Sequence, residues 1–204
     1  MRAFILTLLL MVTGNAFSQD FQIGAHLGVG NVIGNEFARG KYAIYLQPMF
    51  NLSEVYSLGA ELGTGNTLFP GDALVENEDM VNINGLDSRF TFFHIQNKFS
   101  LRGGKIGKYL GFGIGTTQLN VEVNEPQVIS NDDFHQWNFS FNAEAGLRFK
   151  DYEVGLKYLF AGDSPSFRGQ TNDATNRDVL LQAQTTHIIM LTVGYVIDFA
   201  KVKN

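Results

Sequence analysis

The sequence predicts an all-β fold, an eight-stranded antiparallel up-and-down transmembrane β-barrel, from three observations. Hydrophobicity alternates with a period of two along most of the chain, one face of each alternating segment is strongly apolar, and short connections alternate with long ones. A period of two places successive side chains on opposite faces of a strand. Eight antiparallel strands can close into a barrel that leaves no strand edge unpaired.

The clearest alternation runs through residues 136–149. Its interleaved positions carry only Gln, Asn, Ser, Glu, Gly and Arg, whereas the other face is wholly apolar: Trp137, Phe139, Phe141, Ala143, Ala145, Leu147 and Phe149. Aromatic residues at both ends of an apolar face are typical of a strand that crosses a bilayer. At about 3.3 Å per residue and a tilt near 40°, twelve steps rise about 30 Å, close to the thickness of a hydrocarbon core.

The N-terminus predicts export. Residues 1–18 contain Arg2, an apolar run, and small residues at Ala16 and Ser18, which is the pattern of a cleaved signal peptide. Residues 19–204 would then form the barrel domain. The chain has no cysteine, which excludes a thiolate metal site and a disulfide framework, and its formal charge of −5 argues against nucleic acid as a partner.

Four alternating segments precede the middle of the chain, at residues 21–30, 42–52, 56–65 and 88–101. Their polar or small-residue faces carry His26, Glu61, His94 and Lys98. Asn97 is an exception, since it falls on the apolar face of the fourth segment.

Four further segments follow, at residues 110–116, 136–149, 152–160 and 186–199. Charges on their polar faces are Glu144, Arg148, Glu153 and Lys157. The sixth and seventh strands are joined by a predicted two-residue turn at Lys150-Asp151.

Connection lengths predict which end of the barrel faces the cell exterior. Connections after the second, fourth and sixth strands are short, whereas those after the third, fifth and seventh span residues 69–87, 121–135 and 161–184. With the N-terminus in the periplasm, every long loop would lie outside the cell, as in outer-membrane barrels. An eight-stranded lumen is also too narrow for the aromatic side chains of a chain with 18 phenylalanines, so the apolar face should point to lipid. The sequence therefore places glycines, serines and paired charges in the lumen.

The signal peptide, the eight alternating strands and the closing strand with Tyr195, Ile197 and Phe199 resemble the small outer-membrane β-barrels of Gram-negative bacteria, the porin-like or OmpA-type and OmpX-type barrels. The resemblance implies an outer-membrane location and a monomer without a cofactor. It also implies that the aromatic residues of the closing strand serve as the signal for barrel assembly.

Charged residues on the inward faces form the first candidate site. Glu144 and Arg148 are expected to face Lys157 and Glu153 on the next strand, and Glu61 is expected to face Lys98. Buried ions need partners, so these six residues predict a paired network that plugs the lumen. A gate or a proton path through the same residues is the alternative.

A second candidate site is an acidic patch in the loop 69–87, formed by Asp72, Glu76, Glu78 and Asp79. It is expected to be solvated surface, and its functional alternative is divalent-cation bridging to lipopolysaccharide or to a partner. No metal site is expected elsewhere, because His26 and His94 lie on strands that are not neighbours.

We therefore expect a non-enzymatic barrel with a structural, adhesive or recognition role through the loops 69–87 and 161–184. Its partners would be outer-membrane lipid and lipopolysaccharide, with a possible extracellular protein. The first alternative is a narrow channel for small solutes. The second is a lipid A-modifying enzyme, which needs a serine, a histidine and a carboxylate within reach of one another. No nucleophile motif surrounds the candidate serines and histidines near the outer rim, which are His135, Ser164, Ser166 and His187.

Overall fold

The computed structural model describes most of the chain after the N-terminal segment. Its described ranges are residues 20–32, 40–75, 80–101, 106–123, 128–129, 134–163, 167–171, 178–181 and 185–199. Side chains are described in a smaller set, residues 21–31, 42–66, 89–101, 106–120, 135–163 and 185–199. The signal peptide predicted for residues 1–18 lies outside these ranges and stays a prediction.

Eight long strands form the wall of the molecule. They are β1 (Asp20–Val32), β2 (Gly40–Asn51), β3 (Tyr56–Val75), β4 (Met80–Leu101), β5 (Gly107–Val123), β7 (Phe134–Phe149), β8 (Tyr152–Asp163) and β11 (Thr185–Asp198). Three short strands lie between them in the chain, namely β6 (Val128–Ile129), β9 (Phe167–Thr171) and β10 (Asp178–Leu181). None of the described segments is a helix long and apolar enough to cross a membrane.

The eight long strands close into a ring in which every neighbour is antiparallel. The order around the ring is β2-β1-β11-β8-β7-β5-β4-β3, and β3 returns to pair with β2. The first and last strands are in continuous register, with Ala25 opposite Tyr195. The predicted eight-stranded antiparallel up-and-down barrel is confirmed.

The two faces of the wall differ as the alternation predicts. Outward side chains are apolar and open to the surroundings, with Trp137 and Phe139 61% and 66% exposed. Inward side chains on the same wall are polar and buried, and Glu61 and Lys157 have no exposed surface. The barrel is therefore apolar outside and polar inside along its middle.

The two ends of the barrel are unequal. At the turn end, where the chain joins β2 to β3, β4 to β5 and β7 to β8, the connections are short. The predicted two-residue turn at Lys150-Asp151 is confirmed, and Lys150 adopts a φ of 57° there. The opposite end, the loop end, carries the connections from β1 to β2, from β3 to β4, from β5 to β7 and from β8 to β11.

At the loop end, strands replace part of the predicted loops. The loop expected at residues 69–87 is wrong in its bounds, because β3 continues to Val75, β4 begins at Met80, and the two pair as far as Leu74 opposite Met80. The connection expected at 161–184 contains β9 and β10, of which β10 pairs with β3 and β9 pairs with β6. Backbone pairing beyond the barrel wall does not require the two-residue alternation on which the prediction depended.

Aromatic residues enter the lumen at the loop end, contrary to the expectation that only small and charged residues would fill it. Phe90 and Phe92 are buried, and each lies opposite a glycine of β3, Gly65 and Gly63 respectively. The ring of Phe92 occupies the place where a Cβ at Gly63 would stand. Glycine on one strand thus gives a large ring on the next strand the room to fill the lumen.

The outward Asn97 has a partner on the same outer face. The hydroxyl of Tyr56 donates a hydrogen bond of 2.8 Å to Oδ1 of Asn97. The other amide atom, Nδ2, donates to the backbone oxygen of Phe112 at 3.5 Å. The carboxamide therefore has partners within the wall although it faces outward.

Candidate functional site

The candidate site is the polar interior, and glycines of β5 make room for it. Gly111, Gly113 and Gly115 lie opposite Glu144, Asn142 and Ser140 of β7. A Cβ added at Gly111 would lie 2.6 Å from Oε1 of Glu144, which is closer than van der Waals contact allows. Large polar side chains from β4 and β7 therefore lie over a glycine strip on β5.

The first group of interior residues surrounds Glu61, and we call it the Glu61 cluster: Gln47, Glu61, His94, Asn142, Glu144 and Lys157. Nζ of Lys157 donates to Oε2 of Glu61, and Nε2 of Gln47 donates to the same oxygen at 2.6 Å. Nδ2 of Asn142 donates to the other carboxylate oxygen at 3.0 Å, and Nδ1 of His94 lies 3.3 Å from it. Both oxygens of this buried carboxylate are satisfied.

Glu144 is held less tightly than Glu61 within the same cluster. Its Oε2 lies 3.4 Å from Nζ of Lys157 and 3.2 Å from Nε2 of Gln47. Lys157 is therefore shared between two carboxylates and lies closer to Glu61.

The second group lies nearer the turn end, and we call it the Glu153 cluster: His26, Lys98, Arg148 and Glu153. Nζ of Lys98 donates to Oε2 of Glu153 at 2.6 Å, Nε2 of His26 lies 3.0 Å from the same oxygen, and Arg148 lies 3.9 Å from Oε1. The Lys98 ammonium also lies 4.1 Å from the centre of the Tyr109 ring. The Arg148 side chain is 22% exposed at the turn end, where it donates to Gln22.

The six predicted lumen residues all line the interior, but one expected pair does not form. The register places Glu144 opposite Lys157 and Arg148 opposite Glu153. The expected pairing of Glu61 with Lys98 is wrong, since Glu61 lies opposite His94 and Lys98 lies opposite Ser57, four residues further along β4. Lys98 instead reaches Glu153 on β8.

Four interior residues that carry the network were not among the predicted site residues: His26, Gln47, His94 and Asn142. All four are buried and each contacts a cluster carboxylate. Their inward positions follow from the alternation, so a polar side chain on the inward face was the signal that could have found them.

Ser140, His94 and Glu61 form a hydrogen-bonded chain in the order of a nucleophile, a base and an acid. Nε2 of His94 lies 2.8 Å from Oγ of Ser140, and Nδ1 lies 3.3 Å from Glu61. All three residues are fully buried, with no exposed surface. Nδ1 of His94 also lies 3.0 Å from Nδ2 of Asn142, so the chain is part of the Glu61 cluster.

The two rim histidines considered for an enzyme lie on strands that are not neighbours. His135 is exposed on β7, whereas His187 on β11 lies 2.7 Å from the Tyr158 hydroxyl, and β8 runs between these two strands. Ser164 and Ser166 lie outside the described residues.

The acidic patch falls mostly outside the described part of the chain. Asp72 lies in β3 opposite Asn82, while Glu76, Glu78 and Asp79 lie outside it. Among the described residues, no group of three or more His, Cys, Asp or Glu side chains could hold a metal ion.

No protein-family model matches the chain, and no curated protein does so either. Among solved structures, the fold is similar to that of Neisserial surface protein A, with 9% identity, a TM-score of 0.56, and coverage of 87% of this chain and 96% of that one. It is also similar to the outer membrane protein OprG of Pseudomonas aeruginosa, with 12% identity, a TM-score of 0.51, and coverage of 88% and 96%. At such low identity these likenesses concern the fold alone.

Proposed function

We propose that this chain, which has the fold of the small eight-stranded outer-membrane β-barrels, is a non-enzymatic outer-membrane protein that acts through its loop end. Its role is structural, adhesive or in recognition, and its lumen is closed. The observation that carries the proposal is the filled interior, since a barrel without a water path must act through its surface.

The outer face supports insertion in a membrane. Exposed apolar side chains occur on all eight wall strands, among them Leu27, Ile44, Leu62, Ile95, Phe112, Phe139, Leu156 and Leu191. A soluble protein rarely exposes so much contiguous apolar surface. Because the ring is closed, no strand edge in the wall meets the hydrocarbon.

The interior supports a closed lumen in two ways. Along the middle and the turn end, ion pairs join strands that are not neighbours in the wall and leave the buried charges paired. Towards the loop end, Phe90, Phe92 and Leu119 are buried and form an apolar section, in which the rings of Phe90 and Phe92 stack with centroids 6.0 Å apart and Leu119 lies opposite Phe90. An apolar constriction excludes water, so ions meet a barrier there.

The loop end supports a role in contact with a partner. β4 has 22 residues whereas β8 has 12, so the β3–β4 hairpin extends past the wall. β10 and β9 then continue the sheet from β3. A surface built from paired strands is better ordered than separate loops and suits recognition by another molecule.

Planar-bilayer recording separates the closed barrel from its alternative, a narrow channel for small solutes. We expect no steady unitary current from the wild-type protein. Phe90→Ala/Phe92→Ala removes two rings of the apolar section but leaves the Glu61 and Glu153 clusters in place, so this variant should also carry no steady current. A porin of known conductance shows that the assay detects an open barrel. Steady wild-type currents that Glu144→Gln abolishes would support the channel instead.

The enzymatic alternative has a direct assay. We expect no release or transfer of acyl chains when the folded protein is incubated with radiolabelled lipopolysaccharide. Acyl release that disappears in a His135→Ala or His187→Ala variant would overturn the non-enzymatic proposal.

A loop-end role is tested by replacing residues 164–184 with a Gly-Ser linker of equal length. Cells that display this variant should lose binding to host cells or to matrix protein, whereas replacement of the turn residues 102–105 should not matter. Retained adhesion in the linker variant would overturn a role for residues 164–184, and absence of adhesion in the wild type would leave a structural role.

A further inference from the structure

We propose that a row of four polar side chains on the outer face, Asn66, Arg89, Asn120 and His135, binds the phosphate group of a lipid in the surrounding leaflet. We call these four residues the polar row. The inference rests on the proposed insertion in a membrane and adds to it a binding site and a ligand class.

The register brings the polar row together from four neighbouring strands. Asn66 of β3 lies opposite Arg89 of β4, Arg89 lies opposite Asn120 of β5, and Asn120 lies opposite His135 of β7. Paired strands are about 4.8 Å apart, so adjacent members of the row can contact one phosphate group, whereas the whole row spans about 14 Å, the length of a lipid headgroup region along the wall.

The side chains of the polar row point outward. Their chain neighbours Gly65, Phe90 and Leu119 are buried in the lumen, and successive residues of a strand face opposite sides. Arg89 and His135 are exposed, and Asn66 and Asn120 are partly exposed.

The polar row lies beyond the loop-end border of the apolar belt. Two residues closer to the turn end on the same four strands, the outward positions are Thr64, Thr91, Gln118 and Trp137, and the next are Leu62, Phe93, Thr116 and Phe139. Polar and charged groups are costly in hydrocarbon, and aromatic residues favour the interface. The row is therefore level with lipid headgroups.

The chemistry of the row fits phosphate. The four residues offer a guanidinium, an imidazole and two carboxamides as hydrogen-bond donors. Two acidic residues, Asp87 of β4 and Glu122 of β5, lie opposite each other two residues further towards the loop end. Arginine binds phosphate through charge-assisted and often bidentate hydrogen bonds. Arg89 also interacts within the protein, and its five N–H donors allow an intramolecular partner and a phosphate together.

The chain provides both a probe and a matched control. Trp137 is the sole tryptophan, and it lies on the outer face of β7 two residues from His135, so its fluorescence reports a lipid bound beside the row. Lys108 is an exposed outward cation on β5, the strand of Asn120, but at the turn end. Lys108→Gln therefore removes a basic outer-face residue without touching the row.

The experiment titrates folded protein in a neutral detergent with three lipids while Trp137 emission is recorded. Phosphatidylglycerol carries one phosphate, lipid A is a phosphorylated glycolipid, and monogalactosyldiacylglycerol has acyl chains and a sugar but no phosphate. We expect the phosphate lipids to bind at least about tenfold more tightly than the galactolipid, as expected for charge-assisted hydrogen bonds. Similar affinity for both phosphate lipids would mean that the row recognises the phosphate group alone. Tighter binding of lipid A would mean that the row also recognises its sugar headgroup.

Arg89→Gln/His135→Gln should abolish the preference for phosphate lipids, and Lys108→Gln should keep it. Equal affinity of the wild type for all three lipids, an unchanged double variant, or an equal loss in Lys108→Gln would overturn the inference. A folded band in unheated gel electrophoresis and insertion into vesicles are measured in parallel. Failure of the wild type to insert would contradict the proposed function, whereas insertion without phosphate preference would contradict this inference alone.

Discussion

Lys157 and Glu61 form a fully buried ion pair although they belong to opposite walls of the barrel. Lys157 lies on β8 and Glu61 on β3, and three strands separate β8 from β3 in either direction around the ring. The pair therefore spans the lumen. A contact across the lumen constrains the shape of the whole ring, because both walls must hold their distance for it to persist.

Removing the lysine should destabilise the barrel strongly. Lys157→Met leaves two carboxylates, Glu61 and Glu144, in the interior without the ammonium that they share. We expect the free energy of unfolding to fall by about 3–5 kcal/mol, the usual effect of breaking a buried ion pair from one side. Urea unfolding in lipid vesicles, followed by Trp137 fluorescence, measures it.

The double variant Lys157→Met/Glu61→Gln is the control for this prediction, because it removes charge of both signs. It should recover a large part of the lost stability. A double variant less stable than Lys157→Met would mean that the lysine acts through packing and not through charge.

The two glutamates that share Lys157 should respond differently to neutralisation. Glu61 has four hydrogen-bond or ionic contacts, three of them at 3.0 Å or shorter, whereas all contacts of Glu144 are 3.2–3.4 Å. Hydrogen bonds to charged groups contribute about 1.5–3 kcal/mol each, so Glu61→Gln should lower the free energy of unfolding by at least about 2 kcal/mol more than Glu144→Gln. The same urea titration on both variants measures the difference, and an equal loss would contradict the ranking.

Alternation in the sequence was sufficient to predict the eight wall strands and their outward faces, because membrane and lumen impose opposite polarity on adjacent residues. It did not predict the loop-end extension of β3 and β4 or the short strands β6, β9 and β10. The partner of Glu61 was not predictable in this way. Side chains cross a narrow lumen, so their contacts depend on ring closure and register, which Lys98 illustrates by reaching β8. Phe90 and Phe92 lie on one face of β4, and Phe93 lies on the other. Because both faces carry aromatic residues, the sequence does not show which of them are buried.

Gly115 of β5 should not tolerate a side chain. A Cβ there would lie 2.8 Å from Cα of His94 and 2.9 Å from the carbonyl carbon of Phe93, and backbone atoms of a paired strand cannot move aside. Gly115→Ala should lower the free energy of unfolding by about 1–3 kcal/mol through overpacking. Vesicle unfolding of the variant checks this.

Gly107→Ala is the matched control on the same strand. A Cβ at Gly107 would lie 3.7 Å from its nearest atoms, at ordinary van der Waals distance. Its stability should stay close to that of the wild type. An equal loss of unfolding free energy in the two variants would mean that any alanine in β5 is destabilising and that the close approach of β4 to Gly115 is not the cause.

The hydrogen bond from Tyr56 to Asn97 should stabilise the outer face, where lipid offers no replacement donor. Tyr56→Phe removes the 2.8 Å bond and leaves Oδ1 of Asn97 without its donor, which should lower the free energy of unfolding by about 1–3 kcal/mol. Tyr56→Phe/Asn97→Leu removes the stranded carboxamide as well and should restore most of the loss, since leucine suits a lipid-facing position. Unfolding in vesicles compares both variants with the wild type. A double variant no more stable than Tyr56→Phe would mean that the tyrosine stabilises the barrel through its ring and not through its hydroxyl. The centroid of that ring lies 5.0 Å from the centroid of the Phe99 ring.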